Sequence, residues 1–164
     1  GLMNVFLRDS GAAEGLAGQA LAMARERNFT QIEGWAGATL GWARAQLGAP
    51  AEGVALIRAS LLLLAKSETR VSLPLFLTML AEAQALGGDV TGALESLEEA
   101  LGICPPERQY RPYTLTCRGE LAAAIGDLAQ AEASFREAIA TAELMGAISC
   151  KRRASAGLSA LRRT

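Results

Sequence analysis

The chain has 164 residues, of which 51% are hydrophobic, and a formal net charge of -1, which allows one sizeable core and argues against several. It contains no histidine, so the commonest general base and the commonest metal ligand are missing, and no Ser-His or Cys-His arrangement can form. The apolar residues are mainly Ala and Leu, with two Trp, two Tyr and four Phe, a balance that favours helices packed through small contacts and predicts an all-α fold.

The near-neutral total hides an uneven distribution. Lys151, Arg152, Arg153, Arg162 and Arg163 place five positive charges on the last fifteen residues, while residues 1 to 149 hold eleven basic against seventeen acidic side chains. The body lacks the basic footprint of a nucleic-acid binder, and the basic tail reads as a solvated face or as a favourable match to a helix C-terminus. Cys104, Cys117 and Cys150 are odd in number and unpatterned; this is no disulfide framework and predicts a reducing, cytoplasmic setting. The most apolar run, Leu61 to Ala65, is bracketed by Arg58 and Lys66 and is far shorter than the ~20 residues of a membrane span. Neither nucleic acid nor membrane is expected as a partner.

In chain order, helical periodicity predicts helices at about residues 12 to 27, 30 to 47, 51 to 66, 73 to 86, 90 to 103, 110 to 125, 128 to 145 and 148 to 163. Residues 2 to 9 read as the remnant of one more. The buried stripes are Val54, Ile57 and Leu61, then Val90, Ala93, Leu94, Leu97 and Leu101, then Leu128, Phe135 and Ile139. Pro50, Pro74 and Pro112 fall where helices begin, a position at which the missing N–H is not needed. Pro105 and Pro106 break the chain, and Gly87-Gly88-Asp89 and Gly126-Asp127 read as turns.

A small-residue pattern overlies these helices. Ser10, Gly48, Gly88 and Gly126 are each followed five places on by Gly15, Gly53, Ala93 or Ala131 and twelve places on by Ala22, Ser60, Ala100 or Ala138. The preceding helices carry Gly41, Ala81, Gly119 and Gly157 in the same register. A period of 38 to 40 residues is that of stacked helical hairpins. Glycine inside a helix costs about 1 kcal/mol relative to Ala, so its return at a fixed position predicts close approach of the two helices of each hairpin.

These residues resemble the tetratricopeptide repeat family. Leu77, Leu80, Ala81, Gly88, Asp89, Val90, Ala93, Leu97, Ala100 and Pro105 follow its motif; Leu115, Gly119, Gly126, Asp127, Leu128, Ala131, Phe135 and Ala138 do so again, and Leu40, Gly41, Gly48, Gly53, Ile57 and Ser60 more loosely. The period exceeds the family's usual 34 and is similar to the long-repeat C-terminal regions of bacterial ATP-dependent regulators and adenylate cyclase homologues. The resemblance implies a right-handed α-solenoid of about four antiparallel hairpins, a single domain over residues 1–164 excised from a larger protein, with incomplete first and last repeats.

No catalytic, cofactor or metal site is expected. Gly11, Gly15 and Gly18 lack the Lys-Ser/Thr of a phosphate-binding loop, Cys117 and Cys150 read as small hydrophobes, and Glu98, Glu99, Glu132 and Glu137 as solvated. The family's groove positions fall on Trp35, Ala38, Trp42, Leu75, Thr78, Glu82, Tyr113, Thr116, Glu120 and Lys151. Such a face suits an amphipathic helix or extended peptide carrying a basic residue, and packing of either Trp in the core is the alternative. The expected function is a non-enzymatic interaction scaffold of a cytoplasmic signalling or transcriptional regulator, taking a protein or peptide partner or another segment of the parent chain. The competing expectation is homodimerisation through the incomplete terminal repeats, motivated by Leu158 and Leu161 as exposed apolar residues.

Overall fold

The computed structural model describes residues 2–66, 72–103 and 108–163; Cys104, Pro105 and Pro106 lie outside the described residues. Among these are nine α-helices: α1 (Leu2–Leu7), α2 (Ser10–Glu26), α3 (Thr30–Gln46), α4 (Pro50–Lys66), α5 (Leu73–Leu86), α6 (Val90–Gly102), α7 (Arg111–Ala124), α8 (Leu128–Met145) and α9 (Ile148–Leu161). A 3-10 turn, Arg108–Tyr110, leads into α7. No strand occurs among the described residues, and each expected helix is present with its ends within two residues of the expected ones. No helix of the described residues is long and apolar enough to cross a membrane.

The turns explain the regularity. Arg8, Asn28, Gly48, Gly88, Gly126 and Gly146 all have positive φ, and each ends a helix. The N–H of the residue after each bonds back five places, as in Asp9 to Asn4, Ala49 to Arg44, Asp89 to Gln84 and Asp127 to Ala122, all at 2.9 Å. That bond and the left-handed residue make a Schellman cap, which satisfies carbonyls left over at the helix end. Asp9, Asp89 and Asp127 then cap the next helix, accepting from the N–H of Ala12, Gly92 and Gln130 at 2.9 to 3.0 Å.

This geometry corrects the register of the first copy. Arg8, not Ser10, is the counterpart of Gly48, Gly88 and Gly126, because it holds the left-handed position ahead of the same aspartate cap. Its partner five places on is Ala13, which is buried like Gly53, Ala93 and Ala131. Gly15 and Ala22 are exposed, and a methyl group at Gly15 would meet nothing within 4 Å. Spacing alone misled here because the turn carries Arg where the other three copies carry Gly.

Each helix packs on its neighbour in sequence, and the odd-numbered helices also pack on one another, α1 on α3, α3 on α5, α5 on α7 and α7 on α9. They form an inner layer, and α1 also touches α9. Between α3 and α4 the expected close approach is present: a methyl group at Gly41 would lie 2.7 Å from the Gly53 carbonyl oxygen, and one at Gly53 2.5 Å from that of Gly41. Gly34 and Gly37 extend the same face against Leu64 and Ser60. Further along, Gly119 of α7 and Gly157 of α9 both face the ring of Phe135, with which added methyl groups would clash at 2.7 and 2.5 Å. Three residues change between core and surface. Leu128 is half exposed, whereas Leu158 and Leu161 are half-buried beside the Phe135 cluster.

Candidate functional site

The inner layer converges on one carboxylate. Glu82, on α5, accepts hydrogen bonds from Arg8 at 2.6 Å and Arg153 at 2.8 Å on Oε1, and from Trp42 Nε1 at 2.6 Å and the Tyr113 hydroxyl on Oε2. Residues of α3, α5, α7 and α9, and the turn after α1, therefore meet at a side chain only 9% exposed. Trp42 and Glu82 occupy equivalent positions of adjacent repeats and meet because α3 packs on α5. Arg153 continues to Glu120, donating from Nε at 2.7 Å. Its guanidinium lies 5.7 Å from the Tyr113 ring centre, and that of Arg8 lies 5.2 Å from the Trp42 ring centre.

Burial alone would raise the Glu82 pKa, but the adjacent Arg153 and Arg8 guanidiniums and the Tyr113 hydroxyl outweigh it and hold the carboxyl below the ordinary range. Burial, then the Glu82 charge, push Tyr113 well above its ordinary value, so it stays a protonated donor. The same two causes push up Cys117, leaving a neutral thiol without nucleophilic character. Glu82, Cys117 and Glu120 offer ligand atoms within 4.8 Å of one another. Arg153 already bridges the two carboxylates, so a metal ion would have to displace a guanidinium.

The ten groove positions fall into three groups. Trp42, Glu82, Tyr113 and Glu120 come together at this centre. Ala38, Leu75, Thr78 and Thr116 are buried in the packing. Thr78 and Thr116 donate to the carbonyls of Pro74 and Pro112 in their own helix, and Thr78 also meets the Thr114 hydroxyl at 2.8 Å. Trp35 and Lys151 lie elsewhere. Trp35 packs near Phe76 and borders an apolar recess of about 180 Å³ with Leu2, Leu16 and Ile32, while Lys151 is exposed and pairs with Glu143 at 3.0 Å.

The inner face is filled by the chain itself. Val5 of α1 is fully buried, and Phe6 stacks on Tyr110 at 6.4 Å and meets Tyr113 edge-on at 5.4 Å. Arg8 reaches Glu82 and also donates to Gln46 at 3.0 Å. Phe6, Arg8, Gln46 and Arg153 were not expected at this centre. For Arg8 a signal existed, an arginine preceding Asp9 where Gly88 and Gly126 precede Asp89 and Asp127. No protein-family model matches the chain, and no curated protein matches it in sequence.

Proposed function

We propose that the chain is a tetratricopeptide-like right-handed α-solenoid of about four hairpins that serves as a non-enzymatic interaction scaffold, recognising a helical segment of a partner protein or of its parent chain on its inner face. The long-repeat resemblance makes a cytoplasmic signalling or transcriptional regulator the proposed setting. The observation that carries this reading is the placement of α1: a short amphipathic helix with an aromatic and a basic residue occupies the inner face, with Phe6 on Tyr113 and Arg8 on Glu82. Aromatic and arginine side chains in desolvated recesses are the usual anchors of such contacts.

The test is binding in trans. In the Val5→Asp chain, a buried charge unseats α1. A labelled peptide of residues 2 to 9 is then titrated and followed by fluorescence anisotropy. Saturable binding is expected; an unchanged anisotropy at millimolar chain would contradict the reading.

A second reading, self-association, is favoured by one feature. A mainly apolar recess of about 390 Å³ lies between α7, α8 and α9, lined by Glu120, Ala123, Leu128, Phe135, Gly157, Ala160 and Leu161. Light scattering at high concentration separates the two readings, since a strict monomer removes the second.

A further inference from the structure

We infer that the recess formed by Glu82, Gln46 and Trp42 is a guanidinium-reading pocket, and that its present occupant, Arg8, is exchangeable for an arginine placed in the turn just past the C-terminal end of a partner helix, with an aromatic residue two positions earlier in that helix. The inference rests on the inner face being a recognition surface, and it names what that surface reads.

Three walls face the guanidinium, and each suits that group. Glu82 Oε1 lies 2.6 Å from Nη1, Gln46 Oε1 lies 3.0 Å from Nη2, and the Trp42 ring centre is 5.2 Å from Cζ. Two acceptors spread over two nitrogens match the planar fork of an arginine, and an indole face favours its delocalised cation; a lysine ammonium meets neither condition as well. Charge points the same way. Without Arg8, the carboxylates of Glu82 and Glu120 face Arg153 alone, which leaves the recess with a net negative charge and a call for one more cation.

The present occupant is poorly suited to permanence. Its backbone is left-handed, φ 61°, at the turn position that Gly48, Gly88 and Gly126 hold elsewhere, a conformation that a residue with a side chain adopts at a cost. A local rule broken in one copy of a repeat marks a place where something other than folding sets the residue. The Arg8 side chain is 37% exposed against 9% for Glu82, so it can leave without unpacking the core. A cavity of about 250 Å³, lined by Arg8, Gln46, Glu82, Leu97, Glu120 and Arg153 among others, adjoins it and gives an incoming side chain room. The spacing of the partner's two anchors is set by Phe6, whose ring rests against Tyr110 and Tyr113.

The experiment empties the pocket and refills it. Arg8→Gly removes the guanidinium and gives the turn the residue its φ favours, so the chain is expected to fold. N-ethylguanidinium is then added at millimolar concentration during thermal unfolding. A saturable rise in the midpoint of about 3 °C is expected, smaller with ethylammonium, and absent both in the unaltered chain and in Arg8→Gly combined with Glu82→Gln. An equal rise in all three chains, or none in Arg8→Gly, overturns the pocket. On the Val5→Asp chain, the peptide of residues 2 to 9 is expected to bind at least about 10-fold more tightly than its form with Lys in place of Arg8. Equal affinities overturn the arginine preference while leaving a recognition surface in place. Failure of both peptides with the ethylguanidinium response intact removes the recognition surface and supports the pocket alone.

Discussion

Along the α3–α4 seam, Gly41 and Gly53 bring two backbones to within a methyl group of collision, and the contact leaves no room for a side chain. On the inner face of the same repeats, Trp42 and Glu82 stand next to Gly41 and Ala81 in sequence, yet they gather two arginines and a tyrosine around one carboxylate. Neighbouring positions on one helix thus do different work. The seam tolerates one shape, whereas the inner face holds a charge arrangement whose members come from widely separated parts of the chain and are in principle replaceable. Stability should therefore be most sensitive to volume at the seams and to charge at the centre.

Phe135→Ala is expected to have the largest effect, because its ring fills the space that Gly119 and Gly157 leave open on both flanks; a loss of about 4 kcal/mol in urea unfolding is anticipated, and a loss below about 1 kcal/mol would mean that the seam collapses around the gap. Glu82→Gln comes next. It leaves Arg8 and Arg153 without their shared carboxylate and should cost about 3 kcal/mol. The Glu82 carboxyl lies below its ordinary value in the folded chain, so its contribution is complete above about pH 4.3 and is lost as the pH falls through the lower folded value. The variant should lack that acid-dependent fall, and an unchanged pH profile would contradict the assignment. Gly41→Ala is expected to cost about 2 kcal/mol through overpacking against the Gly53 carbonyl. Gly15→Ala, in open space, should stabilise by up to about 1 kcal/mol through helix propensity; a penalty there would restore the register that the turns reject.

Much of the architecture was legible because small residues, prolines and aspartate caps report local geometry directly. Gly88-Asp89 and Gly126-Asp127 marked turns because the left-handed cap and the side-chain cap are both local. Arg8 hid the equivalent turn, since no local rule places arginine at positive φ. The centre was half legible. Trp42, Glu82 and Glu120 share a repeat register, and Tyr113 lies seven residues before Glu120 on the same face of α7, so periodicity brings the four to one face. Periodicity says nothing about what lies across that face, and Phe6 and Arg8 reach it because α1 packs on α3, Arg153 because α9 packs on α7. Lys151 was expected on the inner face in place of Arg153, two positions along the same helix. A helical turn of 3.6 residues puts these two side chains on nearly opposite sides, and Lys151 lies outside the centre, paired with Glu143.

These observations meet at one contact: the Arg8 side chain is held on the inner face by Glu82. A double-mutant cycle with Arg8→Ala and Glu82→Gln, read by urea unfolding, measures it directly. A coupling energy of about 1 kcal/mol or more is predicted. Losses that add to within about 0.3 kcal/mol would contradict it, showing that Arg8 rests beside Glu82 without being held by it.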